Sequence, residues 1–276
     1  MHTLSRPVID SHVHVIDPDQ FPYAADAWYK PVGAEIGTTD NLHQVLDAHG
    51  ISKALLVGPN SGYNTDNRCM LDAIKHSKGR FKGVALVRND TSLGELQDLK
   101  AQGVIGAAMN VSLLGVDFYS DIAPLLQHLR DLDMFAQMQV QHDQLLPLRD
   151  MLVDSGAKLM FDHCGRPDPT KGVEQAGFAA LLTLAESGRA FVKLSSLSKC
   201  SSQQHPYPDA WKFVHALIDA YTPQNLVWAS DWPFLRAPAR IDYGPIVSLF
   251  EQLIPDTAVR HAIQWETPKR LFGFED

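Results

Sequence analysis

Ile9-Asp10-Ser11-His12-Val13-His14, near the start of the chain, and Trp228-Ala229-Ser230-Asp231-Trp232-Pro233, near its end, each read as a short apolar strand running into imidazole or carboxylate side chains. Side chains alternate faces along a strand, so His12 and His14 project the same way. Two imidazoles on one face and a carboxylate from a strand far along the chain meet only where a sheet closes on itself. A barrel closes in that way, so the two motifs propose a fold and a site together.

The rest of the chain extends the pattern. Apolar runs at Val8–Val15, Ala54–Pro59, Gly83–Val87, Val104–Val111, Phe135–Val140, Leu159–His163, Phe191–Ser195 and Leu226–Asp231 are rich in Val, Leu, Met and Phe. They do not alternate strictly, as expected of strands buried on both faces. Helical patterns fall between them, at Asp66–Lys78, Leu93–Gln102, Asp121–Leu132, Leu145–Ser155, Gly177–Ser187 and Ala210–Tyr221. Strand and helix in alternation predict an α/β protein, a (β/α)8 TIM barrel, with residues 1–276 as a single domain. The stretch Asp17–Asp40 is broken by Pro18, Pro22, Pro31, Gly33 and Gly37 and carries Phe21, Tyr23, Trp28 and Tyr29. Following strand 1, it falls at the catalytic end, as a pocket wall or as a packed Ω-loop.

Composition limits the function. The chain has 276 residues, 20% of them charged, with a formal net charge of −8 and no long run of Lys or Arg. A nucleic-acid partner would need a basic face. No apolar stretch approaches the ~20 residues of a membrane helix, and residues 1–7 carry no signal-peptide core. The three cysteines, Cys69, Cys164 and Cys200, fit no zinc-ribbon spacing and read as free thiols. A cytoplasmic enzyme acting on a small molecule is expected. No segment marks an oligomeric state.

In a parallel barrel the C-terminal strand ends form the active face. They supply His12 and His14 from strand 1, Asn110 from strand 4, Gln139 from strand 5, His163 from strand 6, Ser195 or Ser196 from strand 7 and Asp231 from strand 8. A lone strand-end histidine is more often a hydrogen-bonded core residue. Three of them with an aspartate point to a functional cluster. The plainer readings of Asp231 are a strand-end cap or a partner for Arg236.

On these residues the chain resembles the amidohydrolase superfamily, and within it the branch of 2-pyrone-4,6-dicarboxylate lactonase and sugar lactonases. The matching segments are Asp10-Ser11-His12-Val13-His14-Val15, Asn64-Thr65-Asp66-Asn67, Asp162-His163-Cys164-Gly165-Arg166-Pro167-Asp168 and Ser230-Asp231-Trp232-Pro233. The resemblance implies a barrel hydrolase that opens a lactone of a small carboxylated or polyol substrate. Such chemistry needs an activated water, a polarised carbonyl and a proton for the leaving alkoxide. Asp231 is the candidate general base, and His12, His14 and His163 the candidate polarising groups.

Binuclear members of the superfamily bridge two metals with Lys or Glu on strand 4 and a His on strand 5. Asn110 and Gln139 stand there instead, and an amide is a poor zinc ligand beside imidazole. The resemblance extends to metal-free members, so hydrolysis without a cofactor is expected. The alternative is a single divalent ion, zinc, on His12, His14 and Asp231.

Arg166, in the loop after strand 6, suits a carboxylate, or else a structural ion pair with Asp162 or Asp168. Lys199 offers a second cation or a solvated side chain. Tyr29 matches a pocket tyrosine of the dicarboxylate lactonase, and Gln139 and Asn110 offer hydrogen bonds to substrate. That lactonase carries two arginines on and just after strand 4, where this chain has Ala108 and Leu114, so pyrone dicarboxylate itself is not expected as substrate. Two other functions compete: a metal-dependent decarboxylase of an aromatic or unsaturated acid, and a non-catalytic barrel that binds a small molecule.

Overall fold

The computed structural model describes residues 6–275. Residues 1–5, most of the segment read above as lacking a signal core, lie outside the described residues. Eight strands follow one another: β1 (Ile9–Val13), β2 (Lys53–Val57), β3 (Phe81–Leu86), β4 (Val104–Met109), β5 (Phe135–Met138), β6 (Lys158–Phe161), β7 (Ala190–Leu194) and β8 (Leu226–Trp228). They form one sheet in sequence order, parallel at the pairs β1–β2, β2–β3, β4–β5, β5–β6 and β6–β7. Parallel neighbours need a crossover, and a helix lies between each consecutive pair. The chain beyond β8 returns alongside β1. Val13 bridges Trp232 in parallel, Asp231 N–H donates to the His12 carbonyl at 2.9 Å, and His14 N–H donates to the Trp232 carbonyl at 2.8 Å. The fold is the (β/α)8 TIM barrel that the alternation predicted. Among the described residues no helix is long and apolar enough to cross a membrane.

Contacts gather the chain into two compact units. One takes in the described residues up to Leu86, Ala101–Ile105 and those from Trp228 onward; the other takes in Val87–Lys100 and Gly106–Val227. In the first, Trp228 packs against Tyr243 and Phe250 of the helix Tyr243–Leu253, with ring centroids 6.4 and 6.0 Å away. In the second, the helix Trp211–Tyr221 buries Phe213, Val214, Leu217 and Tyr221, a one-faced helical spacing. Phe213 meets Phe178 at 5.1 Å. Every residue of β1 and of β7 is buried, which is why those runs do not alternate.

Two local features depart from the sequence reading. The irregular stretch that ends at Asp40 already contains the start of a helix, Thr39–His49. Thr38 and Asn41 form a reciprocal capping box, and Gly50 closes the end at φ 69°. Only Leu42 and Leu46 are buried on it, too sparse a stripe to stand out beside the neighbouring prolines and glycines. The second is a register shift between Asp10 and Val13 where β1 meets β2. One extra residue there interrupts simple alternation over the stretch that holds Ser11 and His12.

Candidate active site

In the first unit the two opening motifs meet. Asp231 Oδ1 lies 3.5 Å from His14 Nε2 and 3.7 Å from His12 Nε2. The two rings stand edge to face, with centroids 4.9 Å apart. All three residues are buried. His14 Nδ1 sits 2.7 Å from the Val57 carbonyl at the end of β2. A carbonyl only accepts, so Nδ1 carries the proton and Nε2 is left to face Asp231. A bare ring nitrogen and a carboxylate oxygen repel at that range. The pair is therefore built to hold a proton or a cation between its members.

That geometry also passes the test for a metal. Ligand atoms of His12, His14 and Asp231 lie within 4.8 Å of one another. Two imidazoles and a carboxylate suit one zinc with a position left for water, and the Val57 carbonyl fixes the tautomer and orientation of the His14 ring. Asn110 and Gln139 spend their amides on Ser112.

A residue that sequence reasoning passed over holds this cluster together. Asp10 is fully buried. Its Oδ1 accepts from the Ser230 N–H at 2.9 Å and the His12 N–H at 3.3 Å, and its Oδ2 accepts from the Tyr243 hydroxyl at 2.7 Å. Asp10 thus ties the backbone beside Asp231 to the backbone of His12. Burial outweighs those hydrogen bonds and pushes its carboxyl up to about 6. The signal was present in the sequence: a carboxylate directly after the apolar pair Val8-Ile9 at the start of the strand.

The loop after β1 walls this unit. Ile16 N–H donates to the Gly37 carbonyl at 2.8 Å, and any side chain at Gly37 would collide with the Trp232 ring. Tyr29 donates its hydroxyl to Glu35, which raises the phenol above its ordinary range. The guanidinium of Arg236 lies over Trp28 and Tyr29, so it is not the partner of Asp231.

In the second unit, three residues expected to bind substrate converge on one hydroxyl. Ser112 Oγ accepts from Arg166 Nη1 at 2.9 Å and from Gln139 Nε2 at 2.9 Å, and donates to Asn110 Oδ1 at 2.8 Å. A hydroxyl has one donor and two acceptor sites, and all are used. Ser112 carried no signal in the sequence, since only the folded strand ends bring its partners together. His163, at φ 52°, places Nδ1 2.9 Å from Ser195 Oγ. Asp162 pairs with Lys193 at 3.2 Å, and Gln137 completes the set, accepting from Lys193 at 2.6 Å and donating to Asp162 at 3.0 Å. Lys193 is fully buried, a cation the apolar reading of β7 did not single out. Asp168 caps its own turn through Thr170 and meets Lys171 at 3.8 Å. Lys199 closes a short 3-10 turn, Leu197–Lys199. The three cysteines are free and buried. Contact with Cys200 and burial hold the Cys164 thiol well above the ordinary thiol value, so it is no nucleophile for His163.

Known proteins carry the same framework. A family model described as amidohydrolase matches residues 9–274. The chain is 31% identical to a 4-sulfomuconolactone hydrolase of Rhizobium radiobacter, over 96% of this chain and 89% of that one. It is 28% identical to a 2-pyrone-4,6-dicarboxylate hydrolase of Comamonas testosteroni, over 99% and 92%. Its fold superposes with a TM-score of 0.88 on a crystal structure of a probable 2-pyrone-4,6-dicarboxylic acid hydrolase from Acinetobacter baumannii with citric acid bound. That pair shares 28% identity, over 97% of this chain and 99% of that one.

Proposed function

Because the chain belongs to the amidohydrolase family and is a hydrolase, we propose that it opens the ring of a small carboxylated or polyol lactone, with Asp231 as general base. The observation that carries this reading is the buried triad of Asp231, His12 and His14, with Asp231 Oδ1 3.5 Å from His14 Nε2. Lactone-hydrolysing relatives along nearly the whole chain support the reaction class.

The chemistry follows from the side chains. Asp231 takes a proton from water as the oxygen adds to the lactone carbonyl carbon. His14 offers an Nε2–H to the developing oxyanion only as an imidazolium, because Nδ1 is committed to Val57. His12 supports the same oxyanion. As the tetrahedral adduct collapses, the ring C–O bond breaks and Asp231 returns its proton to the leaving alkoxide, giving a hydroxy acid. His163, Arg166, Lys199, Tyr29, Gln139 and Asn110, singled out from the sequence, are the proposed contacts to the substrate carbonyl and its polar groups. Should one zinc be bound by His12, His14 and Asp231, it would supply Lewis-acid polarisation and a more acidic water. We take the metal-free route as the working form, on the resemblance to metal-free members of the branch; the amides at Asn110 and Gln139 remove only the binuclear ligand set.

Pyrone dicarboxylate is not the proposed substrate. Ala108 on β4 and Leu114 in the helix just after it bring no charge, and two charge-assisted contacts contribute roughly 1.5–3 kcal/mol each. Three free buried thiols fit a reducing, cytoplasmic setting. The test is a pH-stat panel of sugar and muconate lactones with wild type and Asp231→Asn. On the best substrate, loss of the base is expected to lower kcat about 10²–10⁴-fold. Full activity in the variant would refute the assignment.

A further inference from the structure

The loop after β8 carries a cation that the proposed chemistry does not use. Arg236 follows Asp231 by five residues. The turn between them is tight, with Phe234 N–H donating to the Asp231 carbonyl at 2.8 Å and Ala237 N–H to the Phe234 carbonyl at 3.1 Å. Asp231, Phe234 and Arg236 all adopt left-handed backbone, at φ 68°, 66° and 55°. Side-chain-bearing residues keep that conformation only where surrounding contacts enforce it.

Those contacts fix the guanidinium. Its carbon lies 4.5 Å from the Trp28 ring centroid and 5.8 Å from that of Tyr29. The Arg236 N–H donates to Glu35 Oε1 at 2.6 Å, and the other Glu35 oxygen accepts from Tyr29. Glu35 therefore holds the loop and the ring and does not neutralise the guanidinium. Among the described residues Arg236 makes no ion pair. Trp28 is 47% exposed, so the stack opens outward. The result is a planar cation bedded on aromatic faces with its fork of N–H donors unclaimed, which is the arrangement that grips a carboxylate through two hydrogen bonds. The loop before it shares its backbone with the base Asp231, so a group held there stands at a fixed place relative to the reacting ester.

We propose that Arg236, seated on Trp28 and Tyr29, is the receptor for a carboxylate substituent of the lactone, so that the substrate class is a monocarboxylated lactone. This rests on the lactonase reading above. The two positions without charge on and just after β4, Ala108 and Leu114, are consistent with carboxylate recognition from the β8 loop instead.

The experiment has two arms on the full chain. In the first, kcat/KM is measured for muconolactone and for its methyl ester, with wild type, Arg236→Gln and Arg236→Lys. The preference of wild type for the acid over the ester is expected to fall about tenfold or more in Arg236→Gln, through KM, and to return in part in Arg236→Lys, which keeps charge but loses the planar fork. An unchanged preference, or one that falls through kcat alone, overturns the proposal. In the second arm citrate binding is measured by calorimetry, with no turnover needed. Affinity about tenfold or more weaker in Arg236→Gln supports the proposal. Equal affinity, or no citrate binding by wild type, overturns it. If no lactone of the panel is opened, these two included, the lactonase reading fails while the citrate arm still decides this one.

Discussion

At the residue scale, chemistry-bearing side chains were legible wherever they stood at a strand end. His12, His14 and Asp231 announced themselves because polar groups close apolar runs, and the structure brings those three together. Ser112 was illegible because a serine in the short helix Val111–Leu114 carries no signal until its partners are known. Its hydroxyl pins Arg166, Gln139 and Asn110 at once. We expect Ser112→Ala to cost roughly 1–3 kcal/mol of stability, by leaving these groups short of a partner. We also expect it to raise KM several-fold on the best lactone, with kcat moved less. Ser112→Thr, which keeps the oxygen, should restore most of the KM, as steady-state kinetics beside thermal melts would show. An equal fall in kcat for the alanine variant would mean that the hub shapes the reacting centre and not the grip on substrate.

At the element scale, the strands were read from runs that are apolar on both faces, and they fall where the sequence placed them. The helix Thr39–His49 escaped because two buried leucines make a thin stripe. The shift in β1 escaped because a bulge leaves no composition signal. Asp10 joins β1 to the backbone after β8, and its folded carboxyl titrates at about 6 against an ordinary 3.8. Between those two pH values the native state binds more protons than the unfolded chain. Stability contributed by this group is therefore greatest below 3.8, falls as pH rises through that window, and is level above about 6. Urea unfolding at pH 4.5 and 6.5 should show a smaller fall for Asp10→Asn than for wild type over that interval. An identical fall in both proteins would place the titration elsewhere. Because Asn keeps an acceptor for Ser230 and His12, a folded variant is expected.

At the scale of the whole molecule, the order of strands was legible and so was the reaction class, because one family's motifs recur along the chain in the order of its sheet. Substrate identity was not, because it resides in loops whose contacts arise only on folding, such as Arg236 over Trp28. Whether a metal takes part is the other whole-protein property that a motif alone leaves open, since the triad of His12, His14 and Asp231 suits both a proton and a zinc ion. The most direct measurement is the rate of lactone opening by chelator-treated wild-type protein of measured metal content, beside Asp231→Asn, on the best substrate of the panel. We expect the metal-depleted wild type to keep its rate and the variant to fall at least about 100-fold. Loss of activity on chelation with recovery on one equivalent of zinc, or an undiminished rate in Asp231→Asn, would contradict a metal-free aspartate-base hydrolase.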